Sequence, residues 1–364
     1  MSKARELAEL GAVYDSGALS NRNVLINGSM QISQRATSVT GITGSGYNTV
    51  DRWRVGNSSA GTWTMAKTAV TDLPSFRNSL KMDCTTADGS LGVNDNLVIE
   101  QRFEGQNVQQ FQKGTSSAKS WTLSFYVKGT TTGTYICQLF DNDNNRFVSK
   151  SYTISSANTW EYKTITFPPD TTGAINDSNG NNFIVSWYLA AGSNFTSGSL
   201  QTAWAGNTAA NKAVGQVNLA ASTSNDWQIT GVQLEVGDTA TPFEHRSFGD
   251  ELLRCKRYFE VYAPVTNDDG SLLVVRTRTN VNNYNGIVYF LEKRAQPTCT
   301  LDYDRLHKPG VAKDTLSDIS VTIGSGQTQS CTVNCTAAND STISTTGFLG
   351  KSSGTAKLSL DAEL

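Results

Sequence analysis

Histidine, the side chain that most often serves as a catalytic base or a metal ligand, occurs only twice in this chain of 364 residues. A Ser-His-Asp or Cys-His site would have to use His245 or His307. His245 follows Phe243 by two residues, which is typical of a structural histidine on a strand face. No motif places a nucleophile on a sharp turn between a strand and a helix. We therefore expect that the protein is not an enzyme.

The stretch DNDNNRF, residues 141–147, carries acidic and amide side chains at alternate positions, as calcium-binding loops do. Such loops need glycine at the sixth position and glutamate at the twelfth, whereas this chain has Arg146 and Tyr152 there. The polar turn of a β-hairpin accounts for the same residues. We predict a hairpin turn at this place.

The cysteines do not form a framework of close pairs, which favours free thiols over a disulfide scaffold. Cys331 and Cys335 are predicted to face the same way on an alternating strand. A zinc site that adds Cys299 and His307 is the alternative, but this spacing is not diagnostic of zinc. We predict small buried thiols, with no metal and no cofactor. The six positions are Cys84, Cys137, Cys255, Cys299, Cys331 and Cys335.

Trp204 stands alone in a long polar segment that runs from Gly192 to Asp226. An aromatic ring on a loop of a β-sandwich can stack on a sugar, because one face of a sugar ring is lined by apolar C–H groups. The alternative is that Trp204 fixes the loop to the core of the domain. Trp204 is therefore our candidate carbohydrate-binding residue.

Short alternating segments dominate the chain from Asn23 onward. In WTLSFYVKG, residues 121–129, apolar side chains occupy every second position, which predicts a half-buried antiparallel strand. Strands at this spacing, without helices between them, predict an all-β protein with an antiparallel, jelly-roll-like β-sandwich. The predicted strands lie at 51–55, 61–67, 79–84, 96–103, 122–128, 134–140, 160–167, 181–192 and 227–236, and then at 271–279, 286–293, 298–303, 319–324, 330–335 and 356–364.

A capped helix interrupts the strands near residue 248. Ser247 is a suitable N-cap, with Asp250 three residues further on. Acidic residues in the first turn and basic residues in the last complement the helix dipole. The apolar stripe of this helix packs either within the chain or against equivalent helices of other subunits. Its members are Phe248, Leu252, Cys255 and Phe259.

The composition changes at this helix, because all seven tryptophans lie between Trp53 and Trp227. The N-terminal residues 2–10 can form a short helix, which needs a partner surface because it is too short to be stable alone. Leu7 and Leu10 are its candidate attachment residues. The predicted parts are an anchoring segment with linker at 1–22, a jelly-roll β-sandwich at 23–247, a linking helix at 248–262, and a second, smaller β-sandwich at 263–364.

The charge balance excludes some classes of partner. Lys and Arg number 30 and Asp and Glu number 32, so the net charge is −2. Such a chain has no general attraction for nucleic acid or for anionic membranes. No apolar stretch approaches the length of a membrane span or of the core of a signal peptide. We expect no nucleic-acid partner, no membrane insertion and synthesis in the cytoplasm.

Several segments resemble tail-fibre and related virion proteins of marine bacteriophages, particularly cyanophages. They are residues 2–35, DRW at 51–53, residues 214–259, FLEKRAQPTCT at 290–300 and LDAEL at 360–364. The resemblance implies a non-enzymatic virion protein, usually a homotrimer, with a carbohydrate-binding-like jelly roll. It implies synthesis in a bacterial host.

The leading hypothesis is a tail fibre or receptor-binding protein, attached to the phage tail by its N-terminus and in contact with a host-surface glycan. Several weak sites would then act together through effective concentration. One alternative is a capsid-decorating, head-fibre or tail-connecting structural protein without receptor binding. A second alternative is a polysaccharide depolymerase. The expected partners are copies of the same chain, phage tail or capsid proteins, and a host glycan.

Overall fold

A computed structural model of the protein describes Lys3 and residues 21–266, 274–277, 283–307, 314–324, 326–337, 346–350 and 355–364. The chain divides into two compact units, residues 1–251 with Leu364 and residues 252–363. The predicted attachment residues Leu7 and Leu10 lie outside the described residues. None of the helices in the described parts is long and apolar enough to cross a membrane.

The first unit is built almost entirely from strands. They are β1 (Ser38–Ile42), β2 (Gly46–Tyr47), β3 (Arg54–Ser58), β4 (Thr62–Ala69), β5 (Asn78–Thr86), β6 (Asn96–Glu104), β7 (Trp121–Gly129), β8 (Gly133–Asp141), β9 (Arg146–Ile154), β10 (Glu161–Phe167), β11 (Asn181–Ala191), β12 (Ala205–Gly206) and β13 (Asp226–Val236). One short helix, α1, spans Ser193–Thr196.

These strands form two antiparallel sheets. The six-stranded sheet has the order β1-β4-β5-β13-β7-β10, and the seven-stranded sheet has the order β12-β9-β8-β11-β6-β3-β2. The core lies between them and contains Trp53, Trp63, Trp121, Trp187 and Trp227, each fully buried. The predicted all-β antiparallel sandwich is confirmed, and the alternation of apolar side chains is the reason that it could be predicted.

Strand β7 differs from its predicted half-buried state. Leu123 and Phe125 point into the core as expected, but Thr122 and Ser124 on the opposite face are buried as well. Residues that follow β13 cover this face, and Thr122 Oγ1 donates a hydrogen bond to the Gly237 carbonyl (2.8 Å). Sequence alternation shows which side chains face the core, but not which chain segment covers the other face.

The second unit is also antiparallel. Its strands are β14 (Phe259–Thr266), β15 (Val274–Thr277), β16 (Asn283–Tyr289), β17 (Thr298–Asp302), β18 (Arg305–His307), β19 (Asp314–Thr322), β20 (Ser330–Ala337), β21 (Thr346–Gly350) and β22 (Thr355–Asp361). Strands β14, β22 and β17 form a three-stranded sheet, and the other six close into a barrel. Cys331 and Cys335 point into the apolar core of this unit, as predicted.

Helix α2 spans Phe248–Lys256, so the predicted helix at 248–262 is too long. The N-cap is correct, since Ser247 Oγ accepts a hydrogen bond from the Asp250 N–H (3.1 Å). The chain leaves the helix at Lys256, and Phe259 already pairs with Asp361 in a strand ladder. Strand pairing therefore overrides the helical spacing, and the predicted stripe does not include Phe259.

The other stripe residues differ in burial. Phe248 is 59% exposed, Leu252 is half-buried and Cys255 is fully buried. Leu253, which the stripe did not include, is 55% exposed. The helix therefore presents exposed apolar side chains on more than one side.

Two of the segments singled out in the sequence, residues 2–35 with 51–53 and residues 290–300, contain buried polar contacts. The Asn27 side chain donates to the carbonyls of Ile32 (2.8 Å) and Asp51 (3.0 Å). Trp53 Nε1 in turn donates to the Asn27 carbonyl (3.1 Å). In the second unit, Lys293 is buried and forms an ion pair with Glu260 (2.6 Å). These buried polar contacts explain why the chain needs these residue types at these positions.

Candidate functional site

A row of polar side chains crosses the outer face of the seven-stranded sheet. Its members occupy directly opposed positions on five adjacent strands, where Cβ atoms lie about 4.5–5.5 Å apart. Their neighbours along each strand, such as Ile99, Val185 and Leu139, point the other way into the core. From β3 to β9, the row consists of Arg54, Glu100, Ser186, Gln138 and Ser149.

The segment from residue 192 to 217 lies over one side of this row. The Ser149 N–H donates to the Gln201 carbonyl (2.8 Å), and Gln201 Nε2 donates to the Phe147 carbonyl (2.8 Å). Further along, Gln216 Oε1 accepts a hydrogen bond from the Ile136 N–H (2.8 Å). The long polar segment of the sequence is therefore fixed to the sheet at both ends, and it forms one wall of a cavity.

This cavity, which we name the seven-strand cavity, has a volume of about 280 Å³. Its floor is formed by the outer face of β6, β11 and β8, and its wall by Phe195 and Lys212 of the covering segment. Regular strands hold their side chains more precisely than loops do, so the cavity is preorganised. The lining residues are Asn96, Val98, Glu100, Gln138, Phe140, Ile184, Ser186, Tyr188, Phe195 and Lys212.

The cavity contains hydrogen-bonding groups that the protein does not use. Gln138 Nε2 donates to Ser149 Oγ (3.2 Å), which leaves the Gln138 carbonyl oxygen as an acceptor. Within the described parts of the chain, the side chains of Ser186, Tyr188 and Lys212 have no hydrogen-bond partner. Ser186 and Tyr188 are each 6% exposed and lie at the floor of the cavity, and Lys212 is half-buried in its wall. Burial, and then the Glu100 carboxylate, raise the pKa of Tyr188, so its hydroxyl stays a neutral donor.

The charged groups of the cavity differ in whether an opposite charge lies beside them. Glu100 Oε1 accepts from Arg54 (2.6 Å) and from Arg102 (2.9 Å), so two guanidinium groups balance one carboxylate. Lys212 has no carboxylate within ion-pair distance among the described residues. Its ammonium lies over the Phe140 ring, 5.4 Å from the centroid, and burial lowers its pKa. The unbalanced charge of the cavity is therefore positive.

The structure does not bring Trp204 to this cavity. Trp204 is half-buried and packs against the core of the first unit, with its ring 6.3 Å from Phe183. Its Nε1 donates to the Pro168 carbonyl (2.8 Å), and Lys113 Nζ lies over its ring at 5.1 Å. These contacts correspond to the alternative role, in which the ring fixes the polar segment to the core.

Lys113 is itself at the centre of a buried ionic cluster at one end of the sandwich. Its side chain is 1% exposed and forms ion pairs with Asp141 (2.5 Å) and Asp170 (3.1 Å). It also donates to the carbonyls of Thr172 (3.0 Å) and Gly173 (2.8 Å). One ammonium thus has four oxygen partners, which is a complete shell for a buried cation of this kind.

The predicted hairpin turn at residues 141–147 is confirmed. Strands β8 and β9 pair from Gly133 to Asp141, and Asp141 Oδ1 accepts hydrogen bonds from the N–H groups of Asp143 and Asn144 (both 3.1 Å). Its other oxygen binds Lys113. Across the described residues, no group of three or more His, Cys, Asp or Glu side chains is placed to hold a metal ion.

A second cavity lies on the outer face of the six-stranded sheet, and we name it the six-strand cavity. Its volume is also about 280 Å³. The lining rings contact one another: the Phe76 centroid lies 5.5 Å from Tyr126, 5.1 Å from Phe243 and 5.5 Å from His245. His245, the histidine with the predicted structural role, therefore stacks on an aromatic residue. Phe76 is buried among these rings, whereas Tyr162 and His245 remain exposed.

The residues of the seven-strand cavity were not identified from the sequence. The signal was present, since Glu100, Gln138 and Ser186 are polar residues at outward positions of predicted strands. Their meeting depends on the register between three strands and on the wall from residue 192 to 217, and neither is local to any segment.

Comparisons with known proteins give weak similarities. No protein-family model matches the chain, and no curated protein sequence matches it. Solved structures with similar folds include the enzymatically active domain of tailspike protein 4 of bacteriophage CBA120 (14% identity, TM-score 0.29), which aligns over 59% of this chain and 21% of that one. They also include TmCBM61 in complex with β-1,4-galactotriose (10%, 0.30), over 59% and 99%.

A third similar structure is the family 11 carbohydrate-binding module from Clostridium thermocellum with a mixed-linked tetrasaccharide (12% identity, TM-score 0.28), over 57% of this chain and 98% of that one. This chain thus spans about a fifth of the tailspike domain's length. Similarity at this level assigns no family and no ligand to the chain.

Proposed function

We propose that the protein binds glycans, and that the seven-strand cavity holds a sugar residue. The observation that carries this proposal is the set of unused hydrogen-bonding groups of Gln138, Ser186 and Tyr188 beside the apolar faces of Phe140 and Ile184. A sugar presents hydroxyl groups at its edge and C–H groups on its faces, so it matches both kinds of surface. The sheet supplies these groups in a fixed geometry, which lowers the entropic cost of binding.

The role in the virion is the second part of the proposal. Residues 2–35, 214–259 and 290–300 resemble tail-fibre and related virion proteins, which supports a tail fibre or receptor-binding protein without enzyme activity. Its N-terminus would attach to the tail, and the cavity would face a host-surface glycan. Cryo-electron microscopy of the intact particle tests this part, since a chain located on the capsid would contradict it.

Self-association is the third part. Ile287 and Tyr289 on β16 and Leu291 just after it are 56%, 72% and 45% exposed, and they follow one another at alternate positions. A row of exposed apolar side chains is typical of a surface that another protein covers. We propose that this row takes part in assembly of a homotrimer. Sedimentation equilibrium should show a trimer, and Tyr289→Ser combined with Ile287→Thr should shift it toward monomer.

The glycan proposal is tested by binding to a printed array of bacterial surface polysaccharides. We expect the protein to bind at least one of them, and the double variant Gln138→Ala with Ser186→Ala to bind it at least about tenfold more weakly, since each lost hydrogen bond contributes about 1 kcal/mol. The control is Gln228→Ala on the six-stranded sheet, which should bind like the wild type. Equal binding by both variants would contradict the proposed site.

A further inference from the structure

The seven-strand cavity contains one cation that its own surroundings do not balance. Lys212 stands just after the 3₁₀ turn Ala209–Asn211 of the covering segment. Its ammonium lies 5.4 Å from the Phe140 centroid and 5.9 Å from that of Phe147. Aromatic faces attract a cation, but they do not neutralise its charge.

The carboxylate in the same cavity is already balanced. Glu100 accepts hydrogen bonds from Arg54 and Arg102, and its side chain is only 9% exposed. It therefore neither pairs with Lys212 nor presents a free negative charge to a ligand. The remaining polar groups of the cavity, on Gln138, Ser186 and Tyr188, are neutral.

A half-buried ammonium without a countercharge favours a ligand that supplies one. A charge-assisted hydrogen bond in a partly desolvated site is roughly twice as strong as a neutral one. On the basis of this geometry, and resting on the proposed glycan-binding function, we infer that the seven-strand cavity selects glycans with an anionic sugar residue. The anion, a carboxylate or a sulfate group, pairs with Lys212, while the neutral groups bind the hydroxyls of the same residue.

The test uses an array of neutral, uronate-containing and sulfated bacterial polysaccharides, with each acidic one also printed in its carboxyl-reduced or desulfated form. Carboxyl reduction replaces a carboxylate by a primary alcohol and leaves the sugar otherwise intact. We expect wild-type protein to bind an acidic polysaccharide at least about tenfold more tightly than its neutralised form. The chemical treatment that removes this advantage distinguishes carboxylate from sulfate.

Variants at Lys212 locate the effect. Lys212→Met should lose the preference, because it should weaken binding of the acidic form at least about tenfold more than binding of the neutralised form, and Lys212→Arg should keep the preference. Lys119→Met, which removes an exposed lysine outside the cavity, should behave like the wild type. Thermal melting confirms that each variant is folded, and raising the salt concentration should weaken binding of the acidic form more than that of the neutralised form.

The outcomes separate the two proposals. If the protein binds polysaccharides but treats acidic and neutralised forms alike, or if Lys212→Met weakens both forms equally, the inference about charge is overturned and the glycan-binding function stands. If no polysaccharide is bound, the proposed function fails and the inference fails with it.

Discussion

The two outer faces of the first unit carry cavities of equal volume, about 280 Å³ each, but of opposite character. In the seven-strand cavity, polar groups and one ammonium face the opening without a partner. In the six-strand cavity, aromatic rings fill much of the lining and contact one another. Phe76 at its centre is 3% exposed, and Tyr162 at its edge is 48% exposed.

Under our proposal, aromatic content alone does not indicate a sugar site. A ring can stack on a ligand only with a face that no other ring occupies. In the six-strand cavity, the ring of Phe243 packs against Phe76 and His245, and these contacts hold the segment after β13 on the sheet. What distinguishes the seven-strand cavity is its ammonium group, Lys212, since no lysine or arginine among the described residues lines the six-strand cavity.

The covering segments explain how the two faces came to differ. The segment after β13 is fastened by polar side chains of that strand: Glu235 accepts from the Thr241 N–H (2.9 Å), and Gln233 Oε1 accepts from the Glu244 N–H (2.8 Å). This leaves the rings to fill the remaining space. The segment at 192–217 is fastened mainly by backbone and amide groups, and none of these hydrogen bonds uses the side chains of Gln138 or Ser186.

The largest effect should follow from Lys113→Met, which should destabilise the first unit next to the seven-strand cavity and leave the six-strand cavity unaltered. The change leaves the Asp141 carboxylate buried without a cation, while Asp170 keeps its ion pair with Arg146 (3.0 Å), so we expect the free energy of unfolding to fall by about 3 kcal/mol. Because Asp141 ends β8, hydrogen exchange should accelerate first in β8 and β9, next to the seven-strand cavity. Chemical denaturation and hydrogen-exchange mass spectrometry measure both effects.

The matched control for that change is Lys128→Met. Lys128 pairs with Asp72 (2.9 Å), whose side chain is 53% exposed, so the pair is screened by water. We expect a loss of at most about 1 kcal/mol. A loss as large as that of Lys113→Met would show that burial is not what makes the Lys113 cluster important.

Phe76→Ala tests whether the six-strand cavity is structural. Removing a buried ring that contacts three others should cost about 3 kcal/mol of unfolding free energy, through lost burial and a residual void. Binding of the polysaccharide that the wild type binds on the array should remain unchanged. Isothermal titration calorimetry measures this at a temperature where the variant is folded. A Phe76→Ala protein that is folded but no longer binds the polysaccharide would contradict our assignment of the ligand to the seven-strand cavity.

The pH dependence of glycan binding tests the role of Lys212 in the seven-strand cavity. Burial lowers the pKa of this ammonium from the ordinary lysine value of 10.5. An anion binds the protonated form, so affinity for an acidic glycan should be constant near neutral pH, where the ligand is ionised, and fall, by up to about tenfold, as pH rises through this lowered pKa. Calorimetry between neutral and alkaline pH measures the fall. Lys212→Arg should show none, because arginine stays protonated.

The smallest effect should come from Tyr188→Phe. The change removes one hydroxyl at the cavity while the ring keeps its contacts with the neighbouring apolar residues Val98 and Ile136. We expect affinity to fall by about 1 kcal/mol, with no loss of stability. Tyr162→Phe on the six-stranded sheet, where the side chain is 48% exposed, should change neither quantity.

Much of the sandwich could be predicted from the sequence, because alternation is a local property. Predicted strands such as 96–103 and 181–192 differ from β6 and β11 by one residue at one end. The end of α2 could not be predicted, since Phe259 fits both a helical stripe and a strand, and only its pairing with Asp361 decides. Pairing of this kind depends on residues far apart in the chain.

The cavity could not be predicted for the same reason. Glu100, Ser186 and Gln138 are separated by dozens of residues, and only strand register places them side by side. The sequence suggested Trp204 instead, because an isolated aromatic residue is conspicuous in a polar segment. The segment around Asn27 is equally conspicuous in the sequence, but the Asn27 side chain is used in buried hydrogen bonds.

The most direct test of the account places a bulky side chain in each cavity in turn. Ile184→Trp fills the seven-strand cavity from the half-exposed outer face of β11, and Ser75→Trp does the same at the exposed rim of the six-strand cavity. We predict that Ile184→Trp abolishes calorimetric binding of the selected polysaccharide and that Ser75→Trp binds like the wild type. Unchanged binding by a folded Ile184→Trp protein would contradict the central claim.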